Sequence, residues 1–155
     1  GLDLRRADAF VGTSAGSVTG TQLAKGIAPA EMFDRQSNPA RQPRELIPSP
    51  QGLAALFKLI EQPWPDDDAR LNAICALGRE RKMVPIADRR ASLVDRLGLT
   101  DELWPDAELL LTAVDDLSFE LKAISAADNA PVIDAVAAGC DIPAVWPAVP
   151  IGVRN

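Results

Sequence analysis

Apolar and polar positions change period several times along the chain, and each change marks an element. Residues 7–12, Ala-Asp-Ala-Phe-Val-Gly, form a short apolar run that fits a buried strand ending in glycine. Ser17 to Lys25 reads as a helix, closed by Gly26 with Pro29 just beyond. Strand, tight small-residue turn and helix in immediate succession are the layout of an α/β unit.

Residues 36–50 carry Pro39, Pro43, Pro48 and Pro50 among polar residues, which predicts a loop. Leu53, Leu56, Phe57 and Ile60 then repeat at i, i+3, i+4 and i+7, an amphipathic helix ended by Trp64-Pro65. Core packing is the expected use of that stripe, with an acyl pocket or lid as the alternative. Asp66, Asp67 and Asp68 suit the start of a further helix running to Gly78. Leu93, Val94 and Leu97 mark one more, stopped at Gly98. Leu109 to Val114 is a continuous apolar run, placed centrally in a sheet. Leu117, Phe119 and Leu121 alternate with Ser118, Glu120 and Lys122 as a half-exposed strand should, with Asp115 and Asp116 as the turn before it. Pro131 fits the first turn of a helix ending at Gly139. Cys140 to Asn155, with Pro143, Pro147 and Pro150, reads as irregular. No internal repeat interrupts this order, and 155 residues suit a single domain with a real core.

Composition narrows the chemistry. The net charge of −6, without a basic cluster, argues against nucleic acid as a partner. No apolar run approaches the roughly 20 residues that span a bilayer. The chain holds no histidine, which removes a Ser-His-Asp triad, a Cys-His pair and a His-ligated zinc from the residues present. Cys75 and Cys140 support neither a disulfide framework nor a four-thiolate metal site. Two half-buried thiols in a reducing, cytoplasmic setting are expected.

The sharp motif is Gly12-Thr13-Ser14-Ala15-Gly16. It matches G-x-S-x-G, in which serine occupies a strained strand-to-helix turn. Such a turn brings backbone against neighbouring elements, so small residues are expected two before and two after the serine. The following helix aims backbone N–H groups and its positive dipole end at the hydroxyl, where an oxyanion would develop. A tight junction without chemistry would give the same five residues. Gly12, Gly16 and Gly20 also space as GxxxGxxxG, read as close helix–sheet packing. A serine hydroxyl needs a base. Lys25, at the far end of the helix, reads as a C-terminal helix charge. The Trp-Pro pairs at Trp64, Trp104 and Trp146 read as anchors at element ends, with an interfacial belt as the alternative.

Ala9-Phe10-Val11-Gly12-Thr13-Ser14-Ala15-Gly16, with the helix through Gly26, resembles the nucleophile elbow of patatin-like phospholipases. Leu110-Leu111-Thr112-Ala113-Val114-Asp115 looks like that family's central strand, and Val132 to Pro147 is similar to the helix and proline-containing loop that lead to its catalytic aspartate. Residues 36–105 carry little of the resemblance. It implies an α/β fold, three-layered, with a central, mostly parallel sheet. It also implies a Ser-Asp dyad without histidine, hydrolysis of lipid esters through an acyl-enzyme on Ser14, and no metal or organic cofactor. Thr13, Gly12 and Gly16 would shape the elbow, and Ala15 N–H would serve the oxyanion hole. The partner implied is a lipid or other ester, met at a membrane surface by transient contact.

The family's glycine-rich oxyanion loop precedes its elbow, and its dyad aspartate sits in an Asp-Gly pair just after the segment matching Val153-Arg154-Asn155. Neither is in the chain, so truncation at both ends is the expectation. Asp141 lies in the right segment but is a poor substitute base, and Asp115, Asp128 and Asp134 read as turn, loop and helix-surface carboxylates. Two other readings stand beside this one: a patatin-fold lipid-binding or interaction module without turnover, and an acyl-carrier-protein acyltransferase. The latter family places histidine near its serine, so the absence of histidine counts against it.

Overall fold

Strand β1 (Ala9–Thr13) runs directly into helix α1 (Ala15–Ala24). The structure, a computed structural model, describes residues 3–43, 46–81 and 83–152. Val153, Arg154 and Asn155, the end of the expected irregular segment, lie outside the described residues. Four further helices follow before the next strand: α2 (Pro29–Ser37), α3 (Pro50–Glu61), α4 (Asp67–Glu80) and α5 (Ile86–Leu97). Then come β2 (Glu108–Val114), β3 (Leu121–Ile124) and α6 (Val132–Gly139).

The sheet order is β1-β2-β3, so the apolar run at 109–114 is the central strand, as its composition predicts. β1 and β2 are parallel, with Gly12 opposite Leu111 and Thr13 opposite Thr112, whereas β2 and β3 are antiparallel. The described sheet is therefore mixed. Phe10, Leu109, Leu111 and Ile124 turn one face toward Leu93 and Leu97 of α5 and Val132, Ile133 and Val136 of α6. Each fully buried Leu or Val of this set contributes about 1.5–3 kcal/mol. α6 is apolar nearly all round because it is buried nearly all round. The opposite face differs: Val11 is 70% exposed, and Val114 and Leu121 are exposed beside it. The described residues thus build an α/β arrangement of one helical layer on one sheet.

Three local features depart from the hydrophobic pattern. α2 occupies residues left unassigned by periodicity, with Pro29 at its start and Met32 as its one buried side chain. The predicted strand at 117–122 begins only at Leu121. The Asp115 carboxylate accepts the backbone N–H groups of Leu117 and Ser118, at 3.0 and 2.9 Å, and Phe119 takes φ 60°. That Asx-type turn outcompetes strand pairing for residues that merely alternate. The α3 stripe is also rotated from its expected position. Gly52 and Leu56 are buried while Phe57 and Ile60 are exposed. Gly52 sets the rotation, because its Cα lies directly beneath the Ala144 carbonyl and leaves no room for a side chain.

α3 starts at Ser49, whose hydroxyl accepts the N–H of Gly52 at 3.1 Å, and α4 starts at Asp66, whose carboxylate accepts that of Ala69 at 2.8 Å. The tryptophans are anchors. Trp64 Nε1 donates to the Leu59 carbonyl at 2.8 Å and Trp104 Nε1 to that of Ala130 at 2.7 Å. Trp146 is buried under the Arg89 guanidinium, 4.2 Å from its ring centre. No described helix is long and apolar enough to cross a membrane.

Candidate active site

The backbone is strained at the junction between β1 and α1. Ser14 sits there with φ 53° and ψ −122°, a backbone region almost confined to glycine. Holding a residue with a side chain in this region costs on the order of 1–3 kcal/mol, so surrounding contacts must enforce it. Ser17 N–H donates to the Ser14 carbonyl at 2.8 Å, closing the first turn of α1. The Cys140 thiol donates to the same carbonyl at 3.0 Å, tying the end of α6 to the elbow. Ser14 is exposed, and its hydroxyl has no hydrogen-bond partner among the described residues.

Gly12 is what lets the strand turn into the helix so sharply. A Cβ there would lie 2.7 Å from Gly16 O and from Ser17 Cα, and 2.9 Å from Ser17 N. Gly16 corrects the expectation of crowding on both sides of the serine: a Cβ there meets nothing within 4 Å. It lies on the outer side of the first helical turn, where solvent and not another element faces it. The GxxxGxxxG spacing therefore marks close packing at Gly12, ordinary van der Waals contact at Gly20, and none at Gly16. A glycine that periodicity marks only as a helix end, Gly139, shares the role of Gly12. Its Cβ would fall 2.8 Å from Thr112 O and 2.9 Å from Ser17 Oγ, so α6 reaches both the elbow helix and β2 at backbone distance.

Thr13 and Ala15 flank the serine. Thr13 Oγ1 shares a hydrogen bond of 2.7 Å with Thr112 Oγ1, its register partner, which fixes the end of β1 against β2. Ala15 and Gly16 are the first two residues of α1, whose N–H groups have no acceptor within the helix. Exposed N–H groups at a helix start favour a developing negative charge.

The carboxylates named from sequence fall away from this turn. Asp115 caps its own turn, Asp128 accepts from the Ser125 N–H and hydroxyl at 2.8 and 3.2 Å, and Asp134 of α6 pairs with Arg90. Lys25 caps α1 at the far end and pairs with Asp101 at 2.5 Å. Asp141 is different. Burial pushes its carboxyl up to about 7, against an opposing pull from Arg89, and its Oδ1 has no hydrogen-bond partner among the described residues. It lines a cavity of about 310 Å³ with Asp115, Asp116 and Lys122. Cys75 and Cys140 are unpaired and half-buried, and burial raises both thiols. Among the described residues no cluster of acids and thiols could hold a metal ion.

Residues 1–154 match the family described as patatin-like phospholipase. The chain belongs to that family. Patatin-like phospholipases are hydrolases of lipid esters, and the match covers nearly the whole chain, including the 36–105 stretch whose residues carry little resemblance on their own. Comparison with curated proteins and with solved structures returned no significant match.

Proposed function

We propose that this patatin-like protein is a lipid acyl hydrolase in which Ser14 is the nucleophile. The observation that carries the reading is the Ser14 backbone at φ 53° and ψ −122°, with its hydroxyl exposed at the start of α1. Ser14 Oγ attacks the ester carbonyl carbon as its proton passes to a base. The carbonyl oxygen gains the negative charge and accepts from Ala15 N–H at the helix start. Collapse expels the alcohol and leaves an acyl-serine, which water then hydrolyses to free acid and serine. The family resemblance assigns the base to an aspartate after Asn155. The thiol contact from Cys140 to the Ser14 carbonyl supports this, because it draws the segment leaving α6 alongside the elbow.

The test is labelling of the full-length protein with a fluorophosphonate probe, together with hydrolysis of short p-nitrophenyl esters. One adduct and measurable turnover, both lost in Ser14→Ala with the unfolding temperature kept, are expected. Turnover retained in Ser14→Ala removes the serine from its role. No adduct on the parent makes the protein a lipid-binding module instead.

A further inference from the structure

The Ser14 carbonyl is held from two directions, and only one of them belongs to the helix it starts. Ser17 N–H donates to it at 2.8 Å within the first turn of α1, and the Cys140 thiol donates to it at 3.0 Å from the end of α6. Burial raises that thiol against the opposing pulls of Arg89 and Arg96, so its hydrogen stays in place near neutral pH. The sulfur is placed by packed backbone. Cys140 caps α6, and its N–H donates to the carbonyls of Val136 and Ala137 at 3.0 and 3.2 Å. Val132, Ile133, Ala135, Val136 and Ala137 bury that helix in the core. Gly139, one residue earlier, brings the last turn so near Thr112 O and Ser17 Oγ that a Cβ would lie 2.8 and 2.9 Å from them. Thr112 Oγ1 in turn shares its hydrogen bond with Thr13 Oγ1, one residue before the serine. A cysteine side chain has one heavy-atom torsion, so a fixed backbone leaves its sulfur few staggered positions.

A peptide bond is planar and trans, so its carbonyl and its N–H point in opposite directions. The carbonyl of Ser14 and the N–H of Ala15 belong to one peptide unit. Holding the carbonyl toward Ser17 and α6 therefore turns the Ala15 N–H outward, on the side where Ser14, Ala15 and Gly16 are exposed. The backbone of Ser14 opposes this arrangement. At positive φ a residue with a side chain favours ψ of roughly +30 to +60°, whereas Ser14 combines φ 53° with ψ −122°. Relaxation into the favoured basin turns the Ser14–Ala15 peptide over. The carbonyl then leaves the Cys140 thiol, and the Ala15 N–H swings inward.

We infer that Cys140 is a positioning residue of the nucleophile turn: its thiol locks the Ser14–Ala15 peptide in the orientation that presents the Ala15 N–H to a developing oxyanion. The use of that N–H rests on the acyl-hydrolase reading, but the lock itself does not. Cys140 acts through the peptide and meets no reacting atom. Its contribution is preorganisation, since a donor already aimed outward needs no rearrangement when charge appears on the carbonyl oxygen.

Two measurements on the full-length protein test this, with Cys140→Ala removing the donor and Cys140→Ser restoring one. In the first, backbone amides are followed by NMR. The Ala15 and Gly16 signals are expected to move in Cys140→Ala and to return toward the parent in Cys140→Ser, while the amides of α5 and β3 keep their positions. An unmoved Ala15 signal in Cys140→Ala overturns the inference. So does a shift spread through α5 and β3, which makes the thiol ordinary packing, or a Cys140→Ser protein that behaves as Cys140→Ala. In the second, turnover of a p-nitrophenyl ester is compared with that of the matching thionoester, in which sulfur replaces the carbonyl oxygen. Sulfur is a weak acceptor, so the preference for oxygen reports hydrogen bonding to the oxyanion. In Cys140→Ala, kcat for the ester is expected to fall about fivefold, equivalent to about 1 kcal/mol, with KM kept. The preference for oxygen is expected to narrow by a similar factor, and both are expected to recover in Cys140→Ser. A purely structural role would lower both substrates together, and an unmoved preference overturns the oxyanion role. Failure of the parent to turn over either substrate sinks the hydrolase reading alone, because the amide signals decide the lock independently.

Discussion

Alanine at Gly12 and at Gly16 should have opposite consequences, although the two glycines are equivalent in the motif. At Gly12 the added methyl meets three backbone atoms at 2.7–2.9 Å, whereas carbon atoms pack best at about 3.5–4.0 Å. Backbone cannot rotate aside as a side-chain tip can, so β1 and α1 must separate by most of an ångström along their contact. Overpacking of this kind costs about 3 kcal/mol, the upper part of the usual range. For a domain of this size that corresponds to a fall of about 10 °C in Tm. At Gly16 the methyl enters open space in the first turn of α1, and exchanging glycine for alanine in a helix gains up to about 1 kcal/mol. Thermal and urea unfolding of both variants checks the contrast. Equal losses would mean that crowding does not set the turn. A Gly12→Ala variant as stable as the parent would refute the packing of β1 on α1.

Two further outcomes are expected. Asp141 has its carboxyl raised from 3.8 to about 7 by burial. Below about pH 4 both folded and unfolded chains hold the proton and stability is full. Between about 4 and 7 only the unfolded chain ionises, so stability falls as pH rises, and above about 7 it is level. Asp141→Asn should match the parent near pH 4 and exceed it by about 2 kcal/mol at pH 8, a figure reduced for the partial exposure of the group. Urea unfolding of both proteins across that range tests it, and a gap between Asp141→Asn and the parent that does not widen from pH 4 to 7 contradicts the assignment. Trp104→Phe removes the donor to the Ala130 carbonyl and should cost about 1–2 kcal/mol; a loss under a few tenths in chemical denaturation would mean that water replaces the indole.

The elbow was legible because its physics is local: five consecutive residues contain the turn, the serine and the glycine that permits close approach. The central strand at 109–114 was legible for the same reason, since an unbroken apolar run favours a place between two other strands, here β1 and β3. α2 was not, because its only large apolar side chains are Met32 and Phe33, and Phe33 faces solvent; Pro29 followed by Glu31 was the signal that could have found it. The turn at 115–120 misled because alternation is weak evidence beside an aspartate that can bind two backbone N–H groups. The wall of a cavity between α1 and α2 was beyond sequence reasoning altogether. Gln22, Arg35 and Arg96 are far apart in the chain, and Arg35 rests where Gly98 leaves a hollow at the end of α5. Gly16 shows the reverse error, where a motif position was credited with a steric duty that the fold does not give it.

If Ser14 is the nucleophile, its strain sets the interests of folding against those of chemistry at a single position. Glycine would occupy φ 53°, ψ −122° without the penalty that serine bears. On the acyl-hydrolase reading proposed above, a population of variants sorted only for thermal endurance would therefore drift toward losing the hydroxyl, and with it turnover. Serine stands where its own backbone disfavours it, and the proposed nucleophile role gives that strain a use.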